Sequence, residues 1–111
     1  MTTTTTTAAP DVVSLDNVHP TVIGLVTRRI GDTATRLYGT HDDRMPDSVR
    51  RARFFRLLDT AKTIRETAAI TADTIAGMSD AERLVIAEAV ASIPDASRQV
   101  RTMIAAAGGI V

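Results

Sequence analysis

The sequence predicts an all-α fold: a small bundle of four helices with a long second helix and a flexible N-terminal arm. Apolar residues recur at intervals of three and four over most of the chain after residue 19. Prolines, capping residues and glycines divide this region into helices at about 20–38, 48–76, 80–93 and 96–107. No alternating stretch is long enough to require a sheet.

The first 19 residues are predicted to precede the bundle. Residues 1–11, MTTTTTTAAPD, are of low complexity and have no apolar periodicity, so we expect a flexible Thr-rich arm. Residues 12–18, VVSLDNV, are predicted to form an extended lead-in that covers the edge of the bundle. Residues 20–111 then form one helical-bundle domain, because a chain of 111 residues has the size of a single domain.

The first two predicted helices have clear end signals. The first begins at Pro20, which suits the first helical position, and stops at Gly39. The second is capped by Asp47 or Ser48 and ends at Gly77, so its ~29 residues would span about 43 Å. This length exceeds what one small core needs, and we expect part of the second helix to contact a second chain or to wrap past the other helices. Its predicted apolar seam is Phe54, Leu57, Ala61, Ile64, Ala68, Ala72 and Ile75.

The third predicted helix opens with a capping box, residues 79–82 (SDAE), and is apolar nearly all the way round. Only Arg83 and a narrow strip of Glu88 and Ser92 are predicted to be polar. Such a helix is central or lies at an interface, so Val85 and Ala89 are candidates for a helix–helix or oligomer contact. The fourth helix is capped by Asp95.

Composition limits the partners. Thirteen basic and thirteen acidic side chains cancel, so no overall field attracts nucleic acid or a membrane. The chain has no cysteine, which fits a reducing cytoplasm, and no apolar run approaches the ~20 residues of a membrane-spanning helix. We expect no cofactor, no metal and a location in the cytoplasm or in an assembled virion. Arginine outnumbers lysine twelve to one, as in a GC-rich actinobacterial or phage genome.

A basic segment, DSVRRARFFRLL at residues 47–58, supplies the candidate site. Its arginines either frame the apolar seam or bind an anion, since cations in a first helical turn oppose the macrodipole and lie beside free N–H groups. Arg50 and Arg51 are the two that packing does not explain. Residues of the fourth helix extend this set if the last two helices form a helix-turn-helix. The anion or nucleic-acid candidates are Arg50, Arg51, Arg53, Arg56, Arg98 and Arg101.

Small residues predict a close contact between the first two helices. Gly24 and Gly31 lie inside the first helix, where glycine is costly unless it permits close approach. A threonine flank that includes Thr60, Thr63 and Thr67 follows one side of the second helix. We expect these flanks to meet, within the chain or between chains. The alternative is that a threonine-rich composition produces this spacing by chance.

One segment resembles a known family. The stretch VIGLVTRRI, residues 22–30, resembles the first helix of small all-helical chorismate mutases, and the resemblance places Arg28 or Arg29 in the role of binding a dicarboxylate. The later basic and acidic positions of that family do not fall at matching spacing. We expect a non-enzymatic, homo-oligomeric adaptor or structural protein that binds itself or another protein. A nucleic-acid-binding protein is the alternative, and an all-α enzyme with an arginine-lined pocket for a small carboxylate is a weaker one.

Overall fold

A computed structural model describes residues 9–110 and confirms the all-α bundle. Most of the predicted N-terminal arm, residues 1–8, lies outside the described residues, as does residue 111. No helix within residues 9–110 has the length and apolar character needed to cross a bilayer. In chain order the elements are β1 (Val12–Ser14), α1 (Pro20–Tyr38), α2 (Asp47–Thr67), β2 (Ala69–Thr71), α3 (Ala72–Ala76), α4 (Asp80–Ala89) and α5 (Pro94–Ala106).

Helices α1 and α2 form the main helix pair. Pro20 occupies the first turn of α1, and the side chain of His19 accepts a hydrogen bond from the N–H of Thr21 (3.1 Å). The beginning of α2 lies beside the end of α1, because the Arg50 guanidinium reaches the Tyr38 carbonyl oxygen (2.7 Å). Because α1 and α2 are also each other's main packing partners, the two helices run in opposite directions. Their buried core residues are Val26, Ile30, Ala34, Tyr38, Leu57, Ala61 and Ile64.

The second helix is shorter than predicted. It ends at Thr67 because Ala68 adopts the left-handed conformation (φ 51°, ψ 42°) and donates its N–H to the Ile64 carbonyl oxygen (2.8 Å). The chain then forms β2 and the five-residue α3. The prediction of one continuous helix over 48–76 is therefore wrong. At 21 residues, α2 is not too long for one small core, so its length gives no reason to expect a second chain.

A two-stranded antiparallel ribbon replaces the missing part of that helix. Val13 pairs with Ile70, and both are buried while their neighbours in the strands are more exposed. The Leu15 N–H donates to the Ala68 carbonyl oxygen (2.7 Å), which extends the contact beyond the strands. Val13 and Leu15 are completely buried. The lead-in thus contributes side chains to the same core as the helices.

Helix α4 begins with the predicted capping box. The N–H of Glu82 donates to Ser79 Oγ (3.3 Å), and the N–H of Ser79 donates to Glu82 Oε1 (3.0 Å). The helix ends at Ala89, four residues before the predicted end. Glu88 and Ser92 of the predicted polar strip are exposed, but Arg83 is buried and the apolar Leu84 is 44% exposed. Helix α5 then packs mainly on α3, α4 and β1.

Candidate functional site

The side of α2 that points away from the core carries a large exposed aromatic ring. Phe55 is 62% exposed. Arg51 and Asp59 lie four residues before and after it, so all three share one side of the helix, which we call the outer face of α2. The ring of Phe54 meets Phe55 edge-on with centroids 5.5 Å apart and packs partly against the core. Phe55 itself thus presents an apolar group between opposite charges.

The two charges of the outer face do not neutralise each other. Arg51 and Asp59 are separated by two turns of helix, about 12 Å along the axis, which is too far for a salt bridge. Neither side chain forms an ion pair within 4.0 Å among residues 9–110. Each can therefore accept a partner from outside the chain.

Three of the predicted anion-binding arginines are occupied within the chain. Arg50 donates to the carbonyl oxygen of Tyr38 at the end of α1 and contacts Asp47 (3.4 Å), and its side chain is only 13% exposed. The cation thus satisfies a free carbonyl at a helix C-terminus, which accounts for its placement. Arg56 donates to the Gly77 carbonyl oxygen (2.9 Å), and Arg98 pairs with Asp95.

The other three arginines are Arg51, Arg53 and Arg101. Arg51 and Arg101 are exposed, and Arg53 is half-buried. They are divided between α2 and α5, which are not main packing partners. The six predicted residues therefore do not form one continuous cationic surface.

The glycines of α1 do not contact α2 closely. Among residues 9–110, a Cβ atom added at Gly24 or Gly31 would have no non-local atom within 4 Å. The prediction that the two flanks pack closely within one chain is thus wrong. Close packing of these flanks between two chains stays a prediction. Buried Thr60 donates its hydroxyl to the Arg56 carbonyl oxygen (2.8 Å), and exposed Thr67 donates to that of Thr63 (2.7 Å). These hydroxyls are satisfied inside their own helix.

Helix α4 supplies two more predicted interface residues and a buried cation. Val85 and Ala89 are buried, so packing within the chain accounts for both. Arg83, also buried, donates to three carbonyl oxygens: Nε to Ile75 (2.9 Å), Nη2 to Ala76 (3.2 Å) and Nη1 to Gly109 (3.0 Å). A single guanidinium therefore caps the end of α3 and fixes the C-terminal turn.

A buried carboxylate lies at the start of α4. The side chain of Glu82 is 1% exposed, its Oε1 lies 3.5 Å from Arg56 Nη1, and its Oε2 has no hydrogen-bond partner among the described residues. The capping-box pattern predicts the bond to Ser79, but it does not predict this burial. The second oxygen is an unused acceptor in the interior, where an unpaired polar atom is costly.

The loop between α1 and α2 holds a histidine between two aspartates. His41 Nδ1 and Nε2 each lie 2.9 Å from a carboxylate oxygen, of Asp47 and Asp43 respectively. Both ring nitrogens can donate only in the imidazolium form, so the hydrogen bonds to Asp47 and then Asp43 raise the pKa of His41 above its ordinary value. The same contact lowers the pKa of Asp47. Within residues 9–110, no group of three or more His, Cys, Asp or Glu side chains is placed to hold a metal ion.

Arg28 and Arg29 are exposed on α1. An open concavity is lined by two other arginines, Arg36 and Arg44, and by two aspartates, Asp42 and Asp43. Arg44 Nε pairs with Asp42 at 3.1 Å, and this contact lowers the pKa of Asp42. The aspartates oppose the binding of a carboxylate there.

Comparison with known proteins gives no match: no protein-family model, no curated protein and no solved structure is significantly similar to the chain.

Proposed function

We propose that this protein is a non-enzymatic assembly protein whose copies associate through the outer face of α2, in the cytoplasm or in an assembled virion. The observation that carries the proposal is the 62% exposure of Phe55 between Arg51 and Asp59. Aromatic residues and arginine are enriched at the centres of protein–protein interfaces, where they contribute most of the binding energy. The lack of cysteine and the excess of arginine over lysine are what support the cytoplasm or a virion as the location.

The charge pattern supports a second copy of the chain as the partner. A two-fold axis through Phe55, with the two copies of α2 antiparallel, brings the rings together. It also brings Arg51 of each copy opposite Asp59 of the other, because both lie four residues from Phe55. Such an interface uses the same patch on both copies, as two-fold dimers do. The pairing forms two intermolecular salt bridges that one chain cannot form alone.

Charge reversal tests this arrangement. In Arg51→Asp both salt bridges become contacts between two aspartates, and in Asp59→Arg they become contacts between two arginines. We expect each variant to be monomeric in sedimentation velocity at concentrations where the wild type is a dimer. An equimolar mixture should form a heterodimer, because the aspartate introduced in the first variant would face the arginine introduced in the second. The unchanged Asp59 of the first would likewise face the unchanged Arg51 of the second. Two variants that remain dimeric alone, or a mixture that remains monomeric, would contradict the proposal.

A matched pair of apolar substitutions tests the role of the ring. Phe55→Ser should dissociate the dimer, whereas Leu84→Ser on α4, also at an exposed apolar residue (44%), should leave it intact. Equal effects would show that association does not depend on the outer face of α2. A wild type that stays monomeric across micromolar concentrations would also refute the proposal.

Nucleic-acid binding is the second candidate, favoured by the absence of any side-chain hydrogen bond or ion pair of Arg51, Arg53 and Arg101 to the described residues. Phosphate contacts lose affinity steeply as salt rises. An electrophoretic mobility shift at 50 mM salt that disappears by about 200 mM, and that weakens in Arg101→Ala, would support this candidate. No shift at low salt would remove it.

A further inference from the structure

We propose that the connection between α1 and α2 is a pH-sensitive switch in which Asp43 changes partner, from the His41 ring in acid to the Arg36 guanidinium at higher pH. The exchange opens and closes the concavity that these three residues line. It is separate from association through the outer face of α2 and does not require it.

The conformation of this connection is specific to protonated His41. Nδ1 lies 2.9 Å from an oxygen of Asp47, and Nε2 lies 2.9 Å from an oxygen of Asp43. An ionised carboxylate can only accept, so each contact is a hydrogen bond only when the ring nitrogen carries a proton, and both nitrogens do so only in the imidazolium. Loss of one proton leaves a ring lone pair facing a carboxylate. One of the two contacts must then open.

The contact with Asp43 is the one that opens. The Asp43 side chain is 97% exposed, so water replaces the ring at little cost, and His41 is its one ion-pair partner among residues 9–110. Asp47 is also approached by Arg50 Nε at 3.4 Å, and Arg50 is anchored by its hydrogen bond to the Tyr38 carbonyl oxygen. The neutral ring therefore keeps its remaining proton on Nδ1, toward Asp47, and releases Asp43.

Arg36 is the cation available to the released carboxylate. It lies in the last turn of α1 and forms no ion pair within 4.0 Å in the part of the chain that the structure describes. Arg36 and Asp43 line the same open concavity, of about 580 Å³. The other arginine of this concavity, Arg44, is already paired with Asp42 (3.1 Å). An ion pair between Arg36 and Asp43 would span the concavity and close it.

The charges around His41 set the direction of the switch. The hydrogen bonds to Asp47 and then Asp43 raise the pKa of His41 above 6.5, and the charge of Arg50 opposes that rise. The charged groups that face His41 or share its concavity are Asp43, Asp47, Arg50, Arg36, Asp42 and Arg44. Below the folded-state pKa of His41, Asp43 is held by the ring and the concavity is open. As pH rises through that value, Asp43 passes to Arg36.

The ¹⁵Nε chemical shift of Arg36 tests the exchange, followed by NMR on the full-length protein at low ionic strength from about pH 5 to about pH 9. We expect a step whose midpoint equals that of the His41 ring. Asp43→Asn should remove the step although His41 still titrates, because no carboxylate is left to change partner. The matched control Asp42→Asn should keep the step, since Asp42 pairs with Arg44.

A neutral residue at position 41 supplies a second measurement. His41→Asn should hold the Arg36 signal near its wild-type position at high pH throughout the titration. Three results would overturn the proposal: an Arg36 signal that does not change in the wild type, a step that persists in Asp43→Asn, or a step that disappears in Asp42→Asn. Phe55→Ser should give the same step as the wild type, so failure of the assembly proposal is distinguishable from failure of this one.

Discussion

Replacing Ala68 with glycine tests the end of α2 most directly. The left-handed conformation of this residue (φ 51°) costs an L-amino acid roughly 1–2 kcal/mol and costs glycine nothing. Glycine also lowers the free energy of unfolding by about 0.5–1 kcal/mol, because it has greater conformational freedom in the unfolded chain. Ala68 also packs partly against the core, so removal of its methyl group forfeits some of the ~0.8 kcal/mol that a buried methylene contributes.

A matched control isolates the conformational contribution. Ala52 is exposed inside α2, and Ala52→Gly should lose about 1 kcal/mol because glycine is a poor helix former. In both variants the new glycine has more conformational freedom in the unfolded chain, so this cost in free energy cancels when the two variants are compared. Ala68→Gly should therefore be the more stable by about 1 kcal/mol, a difference in Tm of roughly 4–8 °C.

Urea and thermal unfolding at one protein concentration measure both variants. Ala68→Gly should unfold near the wild-type midpoint, and Ala52→Gly clearly below it. Equal losses would mean that residue 68 is helical in solution. The prediction of one continuous helix over 48–76 would then be right, and the left-handed conformation of Ala68 as the cause of the helix end would be refuted.

Three further changes probe other parts of the molecule. Gly31→Ala should raise the free energy of unfolding by about 0.5–1 kcal/mol in urea, because its Cβ enters open space, whereas a loss would indicate close packing against another chain. Arg83→Met should lower the free energy of unfolding by about 3 kcal/mol, since buried carbonyl groups lose a charged donor. Arg36→Met, on the exposed side of α1, should change the free energy of unfolding by no more than about 0.5 kcal/mol. The contact of His41 with Asp47 should make stability depend on pH. The raised pKa of His41 gives a contribution that is present below its ordinary pKa of 6.5 and lost as pH rises through the folded-state value. The lowered pKa of Asp47 gives one that is present above its ordinary 3.8 and lost as pH falls through its folded-state value. The NMR titration midpoint of the His41 ring should lie above 6.5 and fall in Asp47→Asn; an unchanged midpoint would contradict the contact.

Local signals in the sequence predict most helix ends. Ser79 and Glu82 satisfy each other within one turn, and Pro20 fits a first turn in any context, so both predictions need only neighbouring residues. The break at Ala68 has no glycine or proline to mark it. It depends on pairing with Leu15 and the strand before it, far away in the chain, and such pairing leaves no local pattern.

The candidate site was only partly predictable for a similar reason. Helical spacing correctly places Leu57, Ala61 and Ile64 on the buried side of α2, but it does not show that Phe55 is left 62% exposed. Arg50 and Arg83 are placed by backbone carbonyl oxygens at the ends of α1 and α3, and carbonyl acceptors have no side-chain signature. Charge in the sequence therefore indicates where a cation is available and does not indicate which groups it satisfies.

The ribbon of β1 and β2 also sets an order of events during synthesis of the chain. Val13 and Leu15 leave the ribosome early, but their partner strand contains Ile70, most of the way to the last helices. Helices α1 and α2 are joined by a short connection and can pair first, because closing a long loop costs entropy before its contacts offset that cost. These two apolar residues, completely buried in the folded protein, thus stay exposed to solvent or a chaperone until β2 emerges. The N-terminal strand joins the core after α1 and α2 although it is made before them.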